Sequence, residues 1–268
     1  MSQYNWNATD YEKNSNNQKT WAAELISKLK LKGDERILDI GCGDGKVAVE
    51  LAKLVPQGSV VGVDNSSEMI SLAMAKYKPQ GFKNLSFAQA DARNLDYKNE
   101  FDVAFSNAAL HWVKDHLSVL RGVNKSLHKE GRILFQMGGK GNASEILSIF
   151  YELVKEQKWN KYFDDFEFPY GFYSPEEYKK WLSETGFKTL RVELLTKDMV
   201  HDNPGSLAGW IRTTWLPYTE RVPSNERDWF IDELVRLYIK KYPLDDMGRA
   251  HVKMVRLEVE AKKETSIN

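Results

Sequence analysis

The stretch Leu38-Asp39-Ile40-Gly41-Cys42-Gly43-Asp44-Gly45 decides the fold, because three alternate glycines separate an apolar run from an amphipathic segment. Residues 36–40 predict a buried strand, and apolar residues at positions 47, 48, 51, 52 and 54 predict one face of a helix. The glycines permit positive φ and close approach of a ligand to the backbone. The start of the following helix offers free N–H groups. A strand, glycine-rich turn and helix in this order predict a site for a nucleotide-like ligand.

Short apolar runs and amphipathic segments alternate over the next hundred residues. This βαβα alternation predicts a mostly parallel sheet with helices on both faces. Further strands are predicted at residues 59–63, 85–88, 101–105 and 132–136, and helices at residues 67–77 and 117–127.

The pattern changes after Gly141. A helix is predicted over residues 143–158, and a second begins at Ser174-Pro175 and ends at Gly186. Strands are predicted at residues 187–195 and 251–259, and the aromatic stretch between them is predicted to be mainly helical. The resulting domains are an N-terminal helical cover (1–35), a core (36–196 with 246–268) and a helical cap inserted between strands six and seven (197–245).

The composition restricts the functional class. The 268 residues include 38 basic and 38 acidic side chains, and 42% are hydrophobic. Zero net charge argues against charge-driven disorder and against a broad nucleic-acid footprint. The single cysteine, Cys42, excludes an intrachain disulfide and indicates a reducing compartment. Since no apolar run is long enough for a membrane span and the N-terminus lacks a signal region, we expect a cytoplasmic protein without membrane contact.

Two classes of ligand compete for the glycine turn. The dinucleotide fingerprint G-x-G-x-x-G requires a third glycine at the position of Lys46, so that pattern fails. The observed D-x-G-x-G-x-G resembles motif I of the class I S-adenosylmethionine-dependent methyltransferases. Their ligand carries an ammonium group, which favours an acid at Asp39.

Three further segments follow that family's order. Asp64 ends the second strand, Asp91-Ala92 follow the third, and Asn107 to Trp112 follow the fourth. The resemblance, which covers residues 18–136, implies that Asp64 binds the ribose and that Asp91 accepts from the adenine amino group. It places the acceptor near residues 107–112. Alternatively, Asp64 caps a helix and Asp91 caps a turn.

The resemblance implies an α/β fold, a Rossmann-like seven-stranded sheet with six parallel strands and an antiparallel last strand. It also implies S-adenosylmethionine as the cofactor. The expected cofactor-binding residues are Gln18, Asp39, Gly41, Cys42, Gly43, Asp64, Asn65, Met69, Asp91, Ala92 and Asn107.

Later segments resemble the branch that contains trans-aconitate methyltransferase and insect juvenile hormone acid methyltransferase. This resemblance rests on residues 107–116, 172–178, 210–212 and 216–218, together with Tyr11 and Gln18 in the N-terminal segment. This branch implies a small-molecule carboxylate as acceptor. One departure is His111, where a glutamine is common, so the resemblance implies the fold and the cofactor more strongly than the substrate.

The acceptor chemistry decides which residues matter. A carboxylate is ionised at neutral pH and needs a cation and donors instead of a base. For it we expect His111 and Tyr218 as donors, Arg212 as the cation, and Trp112 or Trp215 as walls. An amine or hydroxyl acceptor would need His111 as base. Alternatively, His111, Trp215 and Tyr218 only pack and Arg212 lies on the surface.

Other functions fit less well. Base-modifying enzymes usually carry an Asn/Asp-Pro-Pro-Tyr/Phe motif where this chain has Ser106-Asn107-Ala108-Ala109. His111 and His116 are five residues apart, off one helical face, so no metal site is expected. A catalytically silent cofactor-binding protein and a nicotinamide-dependent oxidoreductase remain alternatives. We expect a small-molecule partner, no nucleic acid, and a monomer or weak homodimer.

Overall fold

The computed structural model describes residues 16–78 and 81–264, with side chains from residue 21 onward. A seven-stranded sheet has the strand order β3-β2-β1-β4-β5-β7-β6. The pairs β1–β2, β1–β4, β2–β3 and β4–β5 are parallel, and β7 pairs antiparallel with β5. The predicted fold class, including the antiparallel last strand, is therefore confirmed.

The strands are β1 (Arg36–Ile40), β2 (Ser59–Asp64), β3 (Leu85–Gln89), β4 (Phe101–Asn107), β5 (Leu127–Gly138), β6 (Phe187–His201) and β7 (Ala250–Lys263). The α-helices are α1 (Asn16–Ser27), α2 (Lys46–Leu54), α3 (Ser67–Lys76), α4 (His116–Ser126), α5 (Ser144–Leu153), α6 (Pro175–Glu184), α7 (Pro204–Thr214), α8 (Leu216–Thr219) and α9 (Ser224–Lys241).

Two apolar cores cover the two faces of the sheet. One contains side chains of α4 and α6, such as Val119 and Leu182, and the other contains side chains of α1, α2 and α3, such as Leu25 and Leu51. The central strands carry apolar residues on both faces because both faces are covered. This arrangement fixes the carboxyl ends of the strands, where the candidate site lies.

Several element boundaries differ from the predictions. Strand β5 begins at Leu127 instead of residue 132, and β6 continues to His201 instead of residue 195. Along most of β6, more exposed residues alternate with less exposed ones, as expected of an edge strand with one wet face, so its charged residues do not end it. Helix α5 ends at Leu153, because the polar residues 155–158 offer no apolar face.

The chain forms two compact units. The first, which we call the core unit, contains residues 18–140, 170–195 and 256 onward. The second, which we call the helical unit, contains residues 141–169 and 196–255. The chain passes from one unit to the other within β6 and again within β7. The predicted cap, residues 197–245, lies within the helical unit, and its role as a cover stays a prediction.

A histidine between two carboxylates joins three segments of the helical unit. His251 Nδ1 lies 2.7 Å from Asp198 Oδ2, and His251 Nε2 lies 3.1 Å from Asp245 Oδ2. These hydrogen bonds, with Asp198 contributing most, raise the pKa of His251 above its usual 6.5. The protonated imidazole can donate to both carboxylates at once, whereas the neutral ring can donate to only one.

We expect the stabilising effect of His251 to depend on pH. Its pKa is higher in the folded protein, so its contribution is complete below about pH 6.5 and is lost as the pH rises through the folded pKa. Melting temperatures of the wild type and His251→Gln should therefore differ most near pH 6 and converge at higher pH. A difference that is constant from pH 5.5 to 9 would contradict this role.

Candidate active site

The glycine turn joins the carboxyl end of β1 to the start of α2 and is fixed by β2. The N–H groups of Gly41 and Cys42 both donate to the carbonyl oxygen of Val63, at 2.7 and 3.0 Å. Gly41, Gly43 and Gly45 have φ values of +73°, +54° and +82°. All three lie in the left-handed region that favours glycine, which explains why the turn contains three of them.

The three glycines meet different surroundings. A Cβ atom at Gly41 would lie 2.1 Å from the Cβ atom of Ala109, and one at Gly45 would lie 2.7 Å from the ring of Phe87. A Cβ atom at Gly43 would meet nothing within 4 Å. Gly41 and Gly45 therefore allow the turn to pack, whereas Gly43 leaves open space beside the backbone.

Two carboxylates lie near the carboxyl ends of the neighbouring strands β1 and β2. The Asp39 side chain is 1% exposed, and its Oδ2 atom has no hydrogen-bond partner among the described residues. Burial, with a smaller effect from the charge of Asp64, raises the pKa of Asp39 to about 7. Ionising a buried carboxyl group with such an oxygen atom is costly unless a cation binds there.

Asp64 is held by backbone donors at the end of β2. Its Oδ2 atom accepts from the Gly43 N–H at 3.0 Å, and its Oδ1 atom accepts from the Ser66 N–H at 2.9 Å. Burial raises the pKa of Asp64, although these hydrogen bonds oppose the rise. Each carboxylate oxygen has a second lone pair, so the oriented group can also accept from two hydroxyls of a ligand.

The remaining predicted cofactor residues lie along the same edge of the sheet. Ser66 caps α3 by accepting from the Met69 N–H at 3.2 Å, and the Asn65 carbonyl accepts from Gln89 Nε2 at 3.0 Å. Asn107 ends β4, and its Oδ1 atom is buried without a hydrogen-bond partner among the described residues. Gln18 belongs to α1, but its side chain, like all of Tyr11, lies outside the described residues.

Asp91 forms an ion pair with Arg93, two residues further along the chain. The Arg93 Nε atom donates to both oxygens of Asp91, at 3.0 and 3.1 Å, and the Arg93 N–H donates at 2.9 Å. Burial raises the pKa of Asp91, but the Arg93 contacts outweigh it and the net effect is a lowered pKa. Asp91 is therefore an ionised acceptor, which Ala92 follows directly in the chain.

Cys42 packs beneath the turn. A Cβ atom at Gly62 would lie 3.0 Å from Cys42 Sγ, so the thiol fills the space that this glycine leaves. Burial and the neighbouring acids raise the pKa of the thiol strongly. A neutral buried thiol is an apolar packing group, and we expect any ligand contact of Cys42 to come from its backbone.

The turn after β4 carries His111 and Trp112 in a short 3₁₀ helix, Leu110–Trp112. Ala108 precedes it with φ +55°, a left-handed conformation that costs a non-glycine residue about 1–2 kcal/mol. This reversal places Ala109 against Gly41. The Gly171 N–H donates to the His111 carbonyl at 2.8 Å, which fixes a second loop beside the turn.

Aromatic rings surround His111. The ring centroids of Trp112, Tyr170 and Phe172 lie 5.8, 6.1 and 6.1 Å from the imidazole. The Gly138 N–H points to His111 Nδ1 at a long 3.5 Å, which leaves the ring proton on Nε2. Burial, with smaller effects from the charges of Arg256 and His116, lowers the pKa of His111 well below 6.5. His111 is therefore a neutral donor with apolar walls at neutral pH.

His116 supports this turn from behind. Its Nε2 atom lies 3.0 Å from the Leu110 carbonyl oxygen, and its Nδ1 atom lies 2.7 Å from the Tyr178 hydroxyl. The ring is 1% exposed, and burial lowers its pKa to about 4. His116 thus positions the residues before His111 and does not itself reach solvent. Within the described ranges, no group of three or more His, Cys, Asp or Glu side chains is suited to hold a metal ion.

The three residues predicted to bind the acceptor are divided between the two units. His111 and Trp112 belong to the core unit, whereas Arg212 lies in α7 of the helical unit. The sequence did not single out Arg256, a charged residue of the core unit that is 3% exposed in β7. Strand β7 lies between β5 and β6. A charged residue is unexpected in such a strand, because both of its faces are covered.

These groups fit S-adenosylmethionine. The buried Asp39 oxygen suits an ammonium group, the open space at Gly43 suits close approach of a ligand, and Asp64 suits paired hydroxyls. The helices in the described parts of the chain are all too short or too polar to cross a membrane.

Comparison with known proteins agrees with this geometry. A family model described as a methyltransferase domain matches residues 31–186. A methyltransferase of Schizosaccharomyces pombe is 32% identical over 208 residues, which cover 72% of this chain and 77% of the relative. Trans-aconitate 2-methyltransferase of Shigella flexneri is 25% identical over 261 residues, covering 96% and 98% of the two chains.

A third relative and a solved structure extend the comparison. Malonyl-[acyl-carrier protein] O-methyltransferase of Bacillus cereus is 33% identical over 158 residues, covering 58% of each chain. The structure of phosphoethanolamine N-methyltransferase 2 of Haemonchus contortus with S-adenosyl-L-methionine superposes with a TM-score of 0.61 at 20% identity, covering 96% of this chain and 57% of that one. At that identity, the superposition is evidence for the fold alone. The matched family and the fold agree that this chain belongs to the class I S-adenosylmethionine-dependent methyltransferases, is an enzyme of that class, and uses S-adenosylmethionine as its cofactor.

Proposed function

We propose that this methyltransferase O-methylates the carboxylate of a small organic acid. The observation that carries the proposal is the neutral His111 within its aromatic walls. Its low pKa makes the imidazole a weak base, unsuited to take a proton from an ammonium or a hydroxyl group. A carboxylate acceptor is already ionised at neutral pH and requires only donors and orientation.

The proposed chemistry needs little from the protein beyond binding. The cofactor, when bound, supplies a methyl group activated on a sulfonium. His111 would donate from Nε2 to one acceptor oxygen, and Trp112, Tyr170 and Phe172 would exclude water. Alignment of two reactants can contribute about 7–11 kcal/mol to a bimolecular step. The predicted contributions of Arg212 and of the cap remain part of this proposal.

Two relatives support a carboxylate acceptor. Trans-aconitate and the malonyl group are both carboxylates, and the corresponding methyltransferases align with this chain. The cofactor contacts that we propose are those of Asp39 to the ammonium group and Asp64 to the ribose, with Asp91 and the Ala92 amide at the adenine.

The experiment is a substrate panel at saturating S-adenosylmethionine. Trans-aconitate, malonate, cinnamate and decanoate would be compared with their methyl esters and with the corresponding amines and alcohols, and both cofactor binding and formation of S-adenosylhomocysteine would be measured. We expect turnover with at least one acid and none with its ester. Turnover with only amines or alcohols would contradict the proposal, and cofactor binding without any turnover would favour a silent binding protein.

The role of His111 gives a second test. With an acid acceptor, we expect His111→Gln to lower kcat/KM about tenfold or less, because the amide still donates and one neutral hydrogen bond contributes about 1 kcal/mol. A general base would instead cost about 10²–10⁴-fold. The wild-type kcat/KM should also stay nearly constant from pH 6.5 to 9. A loss above a hundredfold, or a rate that rises tenfold per pH unit, would contradict this role.

A further inference from the structure

The hydroxyl of Tyr178 begins a hydrogen-bond chain that ends at the candidate acceptor site. Tyr178 lies in α6, at the end of the segment 172–178 that the resemblance singled out from the sequence. Its hydroxyl oxygen lies 2.7 Å from His116 Nδ1, and His116 Nε2 lies 3.0 Å from the Leu110 carbonyl oxygen. Leu110 begins the short 3₁₀ helix of the candidate site. The chain therefore connects α6 with this 3₁₀ helix, and all of it lies within the core unit.

The hydrogen atoms of this chain have one consistent arrangement. A carbonyl oxygen only accepts, so His116 Nε2 carries the ring proton and donates to Leu110. Nδ1 of the neutral ring then accepts from the Tyr178 hydroxyl. The hydroxyl's other acceptor within reach, Met137 Sδ at 3.7 Å, is the weaker of the two. Burial lowers the pKa of His116 to about 4 and raises the pKa of Tyr178, so the arrangement is the same at pH 6 and at pH 9.

Two neighbouring carbonyl groups of the 3₁₀ helix are held from outside. The Leu110 carbonyl accepts from the Val113 N–H at 2.9 Å and from His116, which uses both of its lone pairs. The next carbonyl, that of His111, accepts from the Gly171 N–H at 2.8 Å. A 3₁₀ helix of three residues has few hydrogen bonds of its own, so these outside donors fix its orientation. They thereby also fix the position from which the His111 side chain extends.

The polar pair is buried among aromatic rings. Tyr178 is fully buried and His116 is 1% exposed. The ring centroids of Tyr173, Tyr178 and Trp181 lie 4.8, 5.4 and 6.0 Å from that of the imidazole. Two apolar side chains of the same shape would fill this space without the cost of burying a hydroxyl and an imidazole. Packing therefore does not explain the polar pair, whereas orienting the 3₁₀ helix does.

We propose that Tyr178 is a positioning residue for methyl transfer: through His116, it holds the 3₁₀ helix in the orientation that presents His111 to the acceptor. This inference rests on the proposed function, in which His111 donates to the acceptor. The competing role is a purely structural contact between α6 and α4. A positioning role affects the rate of transfer to the acceptor, whereas a structural contact affects only the stability of the protein.

The test compares three substitutions with the wild type. Tyr178→Phe removes the hydroxyl and keeps the ring, His116→Leu removes both ring nitrogens, and His116→Gln keeps a donor that can reach the Leu110 carbonyl. The probe is the acid of the panel with the highest wild-type kcat/KM. We expect Tyr178→Phe and His116→Leu to lower kcat/KM about tenfold, because orientation of the donor is lost, while the Kd of S-adenosylmethionine changes less than threefold. His116→Gln should stay within threefold of the wild type.

A second background separates positioning of His111 from other effects. In a His111→Ala protein, Tyr178→Phe should change kcat/KM less than twofold, because the hydroxyl then has no histidine to position. A tenfold loss that persists in that background would overturn the inference, as would an unchanged kcat/KM in Tyr178→Phe alone. If Tyr178→Phe does not fold, His116→Leu is compared with His116→Gln, and equal losses in the two would overturn the inference.

Ser126→Ala is the matched control. Ser126 lies at the other end of α4, is fully buried, and donates from its hydroxyl to the Gly122 carbonyl at 2.8 Å. The substitution should lower the melting temperature about as much as Tyr178→Phe does and leave kcat/KM for the acid unchanged. A tenfold loss of kcat/KM in Ser126→Ala would show that lost stability alone lowers the rate, and would overturn the inference.

Hydrogen exchange tests the positioning without an acceptor. The Trp112 and Val113 N–H groups donate to carbonyl oxygens of this turn at 3.0 and 2.9 Å. In protein saturated with S-adenosylhomocysteine, we expect both amides to exchange about tenfold faster in Tyr178→Phe than in the wild type or in Ser126→Ala. Faster exchange in a protein that converts none of the acids would support the positioning and contradict only the proposed function. Unchanged exchange in a protein that methylates an acid would overturn this inference alone.

Discussion

Replacing Asp39 by asparagine is expected to weaken binding of S-adenosylmethionine at least a hundredfold and to stabilise the cofactor-free protein above pH 7. Both effects have the same origin. Asp39 is a buried carboxyl group whose Oδ2 atom has no hydrogen-bond partner among the described residues. A hundredfold loss corresponds to about 2.8 kcal/mol, a reasonable value for a charge-assisted hydrogen bond.

The sign of the stability effect follows from the pKa of Asp39. In the unfolded chain this carboxyl ionises near pH 4, whereas in the folded protein its pKa is about 7. Between these values the folded protein binds more protons, so its stability falls as the pH rises, and the full cost is reached above pH 7. That cost is at most about 4 kcal/mol. Asparagine cannot ionise, so the Asp39→Asn variant does not have this free-energy cost.

Melting temperatures and cofactor titrations of Asp39→Asn test both effects. The variant should match the wild type near pH 4.5 and melt several degrees higher at pH 8. Asp102→Asn is the control, because Asp102 of β4 accepts from the Arg36 N–H at 2.8 Å and lies outside the candidate site. A variant that is less stable than the wild type at pH 8 would refute the assigned burial cost.

The second large effect is a contrast between two glycines of the same turn. We expect Gly41→Ala to destabilise the protein by about 2–4 kcal/mol, since φ is +73° and the new Cβ atom would lie 2.1 Å from that of Ala109. Gly43→Ala should lower the free energy of unfolding by only about 1 kcal/mol, which is the cost of positive φ in a non-glycine residue. The new Cβ atom adds no clash, because it meets nothing within 4 Å. The substitution should nevertheless weaken cofactor binding by tenfold or more.

Urea unfolding and calorimetric titration of both variants separate the two roles. Gly41→Ala should shift the urea midpoint strongly, and Gly43→Ala should shift mainly the cofactor Kd. If Gly43→Ala binds S-adenosylmethionine as tightly as the wild type, the space beside Gly43 is not where the ligand approaches the backbone. Equal destabilisation by the two substitutions would show that only positive φ matters.

The sequence was sufficient for the fold class and for the glycine turn between β1 and α2. The glycine turn, Asp64 and the apolar alternation are local signals, and each depends on residues adjacent in the chain. The conformation of Ala108 and the tie between Gly138 and His111 are not local, because they arise from contacts between separate strands. No periodicity near residues 107–112 indicates them.

The position of Arg256 also depends on contacts between strands that are distant in the chain. The last strand was predicted, but its neighbours were not specified, and only the strand order places Arg256 beside the end of β5. Arg212 was chosen for its residue type within a recognised segment, without knowledge of which unit holds it. Residue type is readable from the sequence, whereas proximity across the sheet requires topology.

The position of β7 between β5 and β6 also affects how the protein is made on the ribosome. Until residues 250–263 have been synthesised, β5 and β6 have no strand to join them, and their open edges carry unpaired backbone groups. The nascent chain then also lacks Glu258, the partner of both Lys28 and Arg191. The cofactor edge can be complete while the sheet remains open, so the growing chain is most prone to aggregation just before its last strand emerges.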